Sequence, residues 1–318
     1  MAIIPKIIDD QVEELRSKKL DLGSQKNEVE IKNILIHNNY YRLRGYFTDF
    51  FYQDNLFVDG TRFVDIYNAY NFDSILRNLI EPVLETVEIS FKTIIAYHMS
   101  INYGAFFHYD KTYFCRESGI EDVNHNMAKY IKNHKHSKVI KRYTDIETGK
   151  VELPIWAYIE FLSFGDVSKL FDALDFKYKK EINNKFFLFN KNVGPEFLSS
   201  WYRSLSKFRN ICSHHERLYS MKFLETPPKI TSDAELDKHY RVDQNNQSSV
   251  FYYFLVICML CPNKMIVKKM IEKLVDYQKS FSSISLQKKY GFPENWVFVL
   301  ENFSGYFINT LITSNLDE

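Results

Sequence analysis

A chain of 318 residues, 45% of them hydrophobic, can bury one large core or two modest ones, which excludes a disordered tail. Ten Gly and eight Pro are too few for a turn-rich sandwich or barrel, so an all-α fold is expected. The formal charge of +1 provides no molecule-wide field, so any nucleic-acid partner has to be held by a local basic patch.

The 22 Tyr and 27 Phe suit a large helical core with polar crevices, because a Tyr ring can be buried while its hydroxyl stays hydrogen-bonded. Met1 to Asp21 is charged and amphipathic, unlike a secretory leader. Four cysteines (Cys115, Cys212, Cys258, Cys261) are too few for a disulfide scaffold, and a reducing, cytoplasmic setting is expected. The longest apolar run, Val250 to Cys261, falls short of the roughly 20 residues that span a bilayer, so no membrane partner is expected.

Glu13 to Lys19 and Glu28 to Ile36 read as short amphipathic helices, the second capped by Ser24. The aromatic segment Tyr40 to Tyr52, with Asp59-Gly60-Thr61 after it, reads as a helix end and a turn. From Phe63 to His98 apolar residues recur at three and four, predicting two long helices. Pro82 either starts the second or kinks a continuous one. A further helix is predicted over Pro154 to Leu174, broken at Ser163-Phe164-Gly165, and another over Pro195 to Ser220. Ile146 to Val151 can turn as a small hairpin over Thr148-Gly149, within a possible β-hairpin near 143–153. A polar loop is predicted from Pro227-Pro228 to Ser249, with helices again from Val250 to Leu311.

Two segments carry residues suited to chemistry. Lys129, Lys132, Lys135, Lys138, Lys141 and Arg142, interleaved with Tyr130, His134 and His136, form the strongest basic run and suit an RNA backbone or a solvated face. The other is Phe208 to Tyr219. If helical throughout, it places Leu205, Phe208, Cys212, His215 and Tyr219 on one apolar face, while His214 shares a polar strip with Asn210 and Arg217. A neutral imidazole can take the proton of a ribose 2′-hydroxyl, a guanidinium can bind phosphate as charge accumulates, and Asn210 can orient His214. Arg209 precedes His214 by five residues, about 140° away around an ideal helix, so their convergence requires a bend or the full reach of the Arg side chain.

Several separate motifs resemble the Abi family of bacterial phage-resistance proteins, a branch of the HEPN superfamily. Asn39-Tyr-Tyr-Arg-Leu-Arg-Gly-Tyr46 is similar to its N-terminal signature, and Phe63 to Tyr70 with Phe72-Asp73 and Leu76-Arg77 to its next block. Glu85 to Ile89, Pro154 to Glu160 with Ser163 to Gly165, and Gly291 to Trp296 resemble later blocks; Lys92 stands where a family Arg is expected. Arg209-Asn-Ile-Cys-Ser-His214 matches the HEPN pattern of Arg, a polar residue and His.

The resemblance implies one helical unit over the whole chain: a lead-in over 1–61, a HEPN core over 62–222 and C-terminal helices over 248–318. It also implies metal-independent RNA cleavage through Arg209, Asn210 and His214, by 2′-hydroxyl attack that leaves a 2′,3′-cyclic phosphate. HEPN sites pair two motifs and this chain has one, so a homodimer is implied, as is a structured small RNA as a further partner. Some HEPN toxins are modified on a Tyr two residues after the His; Glu216 stands here, which argues against that control.

Glu160, with Glu88, is a candidate to orient Arg209; Arg217 is read as a phosphate contact or a salt bridge, and His215 as a core histidine. Cys258 and Cys261 read as core, and no cofactor or metal is called for. Three functions compete: a ribonuclease effector of abortive infection, a non-catalytic RNA-binding protein or toxin component regulated by a small RNA, and a dimerisation module.

Overall fold

The computed structural model describes residues 5–52, 55–115, 117–187, 194–228, 234–241 and 244–308. Its first helices are α1 (Ile8–Ser17), α2 (Gln25–Asn38) and α3 (Tyr40–Arg44). Ser24 is the N-cap of α2 as expected; its amide donates to Asn27 Oδ1 at 3.0 Å. Asn39 precedes α3 with φ 57°, in the left-handed region that Asn tolerates, and its Oδ1 accepts from the Tyr41 amide at 2.9 Å.

The axis of the fold is α4 (Phe63–Tyr103), a single helix of 41 residues with Pro82 inside it. The expectation of two helices is corrected, and of the two roles for Pro82 only the continuous helix holds. A proline in a helix interior costs about 3 kcal/mol. Fully burying a large aliphatic side chain returns roughly 1.5–3 kcal/mol, so Ile80, Val83, Leu84 and Val87, all buried beside Pro82, outweigh that cost.

Next come α5 (Glu117–Asn133), α6 (Lys138–Arg142), α7 (Ile155–Tyr158), α8 (Phe164–Ala173), α9 (Phe176–Phe186) and α10 (Pro195–Ser213). The break expected at Ser163 separates α7 from α8: the Ser163 side chain caps α8 by accepting from the Asp166 amide. Between α6 and α7 the hairpin is reduced to one antiparallel bridge, Thr144 to Val151, around a turn held by the Asp145 carboxylate. Only isolated bridges, and no strand, occur among the described residues, so the fold is all-α.

The predicted polar loop contains two short helices, α11 (Ala234–His239) and α12 (Gln244–Gln247); residues 229–233 and 242–243 lie outside the described ones. The chain ends with α13 (Val250–Leu260), α14 (Lys264–Ser280), α15 (Leu286–Tyr290) and α16 (Trp296–Asn302), and the expectation of helix to Leu311 runs past the described residues. Every residue of α13 is buried, Cys258 among them, as befits a helix apolar on all sides, and Cys261 just beyond it is buried too.

Helices α7, α9, α10, α13 and α14 pack on α4, while α8 lies between α10 and α5. Phe91 of α4 joins three of these helices: it stacks on Tyr202 of α10 at 3.4 Å and meets the edge of Phe171 of α8 at 5.1 Å. No helix among the described residues is long and apolar enough to cross a membrane.

Candidate functional site

Arg209 lies near the end of α10, on the side facing α4. Its Nη2 is 3.3 Å from Glu88 Oε2 and its Nη1 donates to Asn210 Oδ1 at 3.3 Å. The other oxygen of Glu88 is 2.9 Å from Lys92 Nζ, so one carboxylate ties together a cation from each helix.

Arg209, Glu88 and Lys92 line an open cleft of about 640 Å³ between α4 and α10, with Glu81, Glu85, Pro82, Ile89 and Ser213 also in its wall; Asn210 and His214 are not part of that wall. Three carboxylates face two cations there, so the cleft is locally acidic. Of the two candidate carboxylates, Glu88 reaches Arg209; Glu160 is exposed, in the turn after α7, and makes no hydrogen bond to Arg209.

The helix stops earlier than predicted, at Ser213 rather than Ser220. His214 is the C-cap, and His215 adopts φ 59°. The His215 amide then donates to the Cys212 carbonyl at 3.0 Å and the Glu216 amide to the Ile211 carbonyl at 2.9 Å, the hydrogen-bond pair of a Schellman helix end. This turn carries His215 off the apolar face. The reading of His215 as a core histidine is therefore corrected: it is exposed. His214 is exposed too, with its amide bonded to the Asn210 carbonyl at 2.8 Å and its imidazole in no hydrogen bond among the described residues. The side chain of Asn210 is turned to Arg209, not to His214.

The segment after His214 is gripped from three sides. Arg42 donates to the His215 carbonyl at 2.7 Å, and Arg77 to the Glu216 carbonyl at 2.9 Å. The Leu218 amide donates to Asp73 Oδ2 at 3.0 Å. The same Asp73 oxygen accepts from the Tyr46 hydroxyl at 2.8 Å and from Arg77 at 2.5 Å. The Arg217 guanidinium donates to the Gly45 carbonyl and makes no salt bridge among the described residues. Ser220 closes the loop with a hydrogen bond to Asp49 at 2.5 Å.

The segments read in the sequence as family markers, Asn39 to Tyr46 and the Asp73 and Arg77 blocks, thus converge on the backbone that carries His214. Sequence reasoning missed this role, although a signal was present: Asp73 and Arg77 are an acid and a base one turn apart on an otherwise apolar helix face. Both are buried, at 0% and 3% exposure, where a charge persists only when paired.

The basic run lies elsewhere. Lys129 and Lys132 are on the outer face of α5, Lys135 is in the turn, and Lys138, Lys141 and Arg142 are on α6; all six are exposed. α5, which carries the first of these lysines, packs on α8, and none of the six side chains lines the Arg209 cleft. Among the described residues no group of three His, Cys, Asp or Glu side chains is placed to hold a metal ion.

No curated protein and no solved structure gives a significant match to the chain. A family model described as Abi-like protein matches residues 33–220, from the helix before the Asn39 signature to the last residue of the gripped loop, and the chain belongs to that family.

Proposed function

We propose that this Abi-like protein is a ribonuclease of the HEPN kind that acts in abortive-infection defence against phage, with Arg209, Asn210 and His214 as its catalytic residues. The observation that carries the reading is the division of labour at the end of α10. Glu88 and Asn210 hold the Arg209 guanidinium at an open cleft, while the His214 imidazole stands exposed, with no hydrogen bond among the described residues, beside a backbone that Arg42 and Arg77 hold in place. A cation fixed in place and an imidazole free to exchange a proton are what 2′-hydroxyl attack on phosphorus needs.

In the proposed reaction His214 removes the 2′-hydroxyl proton and the oxygen attacks the adjacent phosphorus. The 5′-oxygen leaves with a proton from His214 of the partner subunit, giving a 2′,3′-cyclic phosphate. The Arg209 guanidinium binds the phosphoryl oxygens, and no metal takes part. One chain supplies one motif, so the site is completed by a second copy across the cleft, where Ile89 is 51% exposed. A second reading is a non-catalytic RNA-binding protein: the carboxylates beside Arg209 weaken the cleft as a site for a reacting phosphate, and the exposed basic run Lys129 to Arg142 provides an RNA contact that is not part of it.

Growth during expression separates the two. Wild type is expected to arrest cells, and His214→Ala and Arg209→Ala to release them. Equal toxicity of all three, or toxicity in none, contradicts nuclease action.

A further inference from the structure

We propose that the outer face of α5 and α6, from Lys129 to Arg142, is a second RNA-binding surface, one that holds single-stranded RNA by its backbone and stacks a base on His134. For its biological meaning this rests on the RNA reading of the α10 site; its test does not.

The first observation is charge. Residues 129–142 contain six Lys and Arg and no carboxylate, in a chain whose formal charge is +1, so the rest of the sequence is net acidic. Cations elsewhere on the surface are commonly paired: Lys32 with Asp9 and Glu28, Lys169 with Asp122, and Arg203 with Asp172. None of the six forms an ion pair among the described residues, although Glu121 and Asp122 lie on the same α5 and pair with Lys111 and Lys169 instead. Unpaired like charges side by side repel one another, a cost that an anionic polymer removes by releasing its counterions on binding.

The second observation is a stack of rings in the middle of these charges. His134 lies parallel to Tyr130 at 3.9 Å, and Tyr130 lies parallel to Phe161 at 4.6 Å. Phe161 and Tyr130 are half-buried and anchor the stack, while His134 is exposed, and a hydrogen bond between its Nδ1 and the Tyr130 carbonyl at 2.9 Å fixes its ring. The stack leaves an aromatic face outermost among phosphate-binding side chains, the combination that holds single strands without reading sequence. A lipid surface or an acidic protein would use the charges and leave the ring face without a function. The acidic cleft at Arg209 adds a reason for such a surface: affinity for the backbone has to come from another part of the molecule.

The test uses the full chain carrying His214→Ala, so that the probe stays intact, and a fluorescein-labelled single-stranded RNA of mixed sequence. Affinity is measured by anisotropy across a salt series. Changing Lys129, Lys132 and Lys135 together to Gln is expected to lower affinity tenfold or more and to flatten the plot of log affinity against log salt by about 2, at ~0.7 per phosphate contact. The same three changed to Arg restore both. His134→Ala is expected to lower affinity about fivefold or more with the slope unchanged.

Unchanged affinity and slope in the Gln variant overturn the proposal. So does a variant that keeps its RNA affinity but no longer binds phosphatidylserine vesicles, which would assign the face to a membrane. RNA binding that depends on these lysines, without any cleavage by the wild-type chain, defeats the nuclease reading alone; cleavage that depends on His214, with binding indifferent to the lysines, defeats this proposal alone.

Discussion

The loop after α10 and the basic face of α5 and α6 use polar groups in opposite ways. In the loop, Arg42, Arg77, Arg217 and Asp73 are bonded to backbone atoms of residues 215–218 or to the turn beneath them. On α5, α6 and the turn between them the six cations are exposed and form no ion pair among the described residues. Charges turned inward fix where a short segment sits, and charges turned outward remain available to something else. In the proposed function, position is what matters at His214 and charge is what matters from Lys129 to Arg142.

The largest effect is expected at Asp73. Asp73→Ala leaves the buried Arg77 without its carboxylate and is expected to cost about 3–5 kcal/mol, measured by denaturant unfolding. The double variant Asp73→Leu with Arg77→Met is expected to lose less than Asp73→Ala alone, because the penalty comes from an unpaired charge. A double variant as unstable as the single one would show that the hydrogen bonds to Glu216 and Leu218, rather than the charge, dominate.

Acid tests the other side of the molecule. His108 is 1% exposed, packs on Tyr158 at 4.4 Å, and Tyr158 in turn donates to Asn124 of α5. Burial lowers the pKa of His108 from 6.5 to about 4. Above pH 6.5 the imidazole is neutral in both folded and unfolded chains. Between 6.5 and about 4 only the unfolded chain takes up the proton, so stability falls as pH falls, by about 3 kcal/mol in all. His108→Phe is expected to flatten that part of the stability profile, and an unchanged slope would place the acid sensitivity in another group.

Smaller effects sharpen the loop. Arg42 is exposed and its bond to the His215 carbonyl is a single one, so Arg42→Ala is expected to cost about 1 kcal/mol of stability. Its larger effect should be on activity, since His215 follows His214 directly; activity equal to wild type would show that the loop holds its place without Arg42. His215→Gly removes a side chain from a left-handed position and is expected to be neutral or to stabilise by up to about 1 kcal/mol. A clear loss of stability would give the His215 side chain a role that its exposure does not suggest.

The all-α fold was legible because apolar spacing and scarce Gly and Pro record burial locally. The helix break at Ser163 was legible for the same reason, since a cap is a neighbour effect. Pro82 misled because the burial that overrides it comes from α10, α13 and α14, which no local window contains. The end of α10 was illegible for a related reason: His215 occupies a position where Gly is usual, and what holds the turn is supplied by Arg42, Asp73 and Arg77, more than 130 residues away. Arg209 and His214 were singled out by pattern, but the choice of His214 over His215 came from extending a helix that had already ended. Glu88, rather than Glu160, as the partner of Arg209 required the packing of α4 on α10, which periodicity does not give.

The proposal that His214 and Arg209 cut RNA without a metal is read from the end chemistry of the products. End-labelled RNA is incubated in EDTA with wild type, with His214→Ala and with Arg209→Ala, and the new 3′ ends are examined. Fragments ending in 2′,3′-cyclic phosphate from wild type alone are expected. Cleavage that appears only when divalent metal is restored, or that persists in His214→Ala, would contradict it.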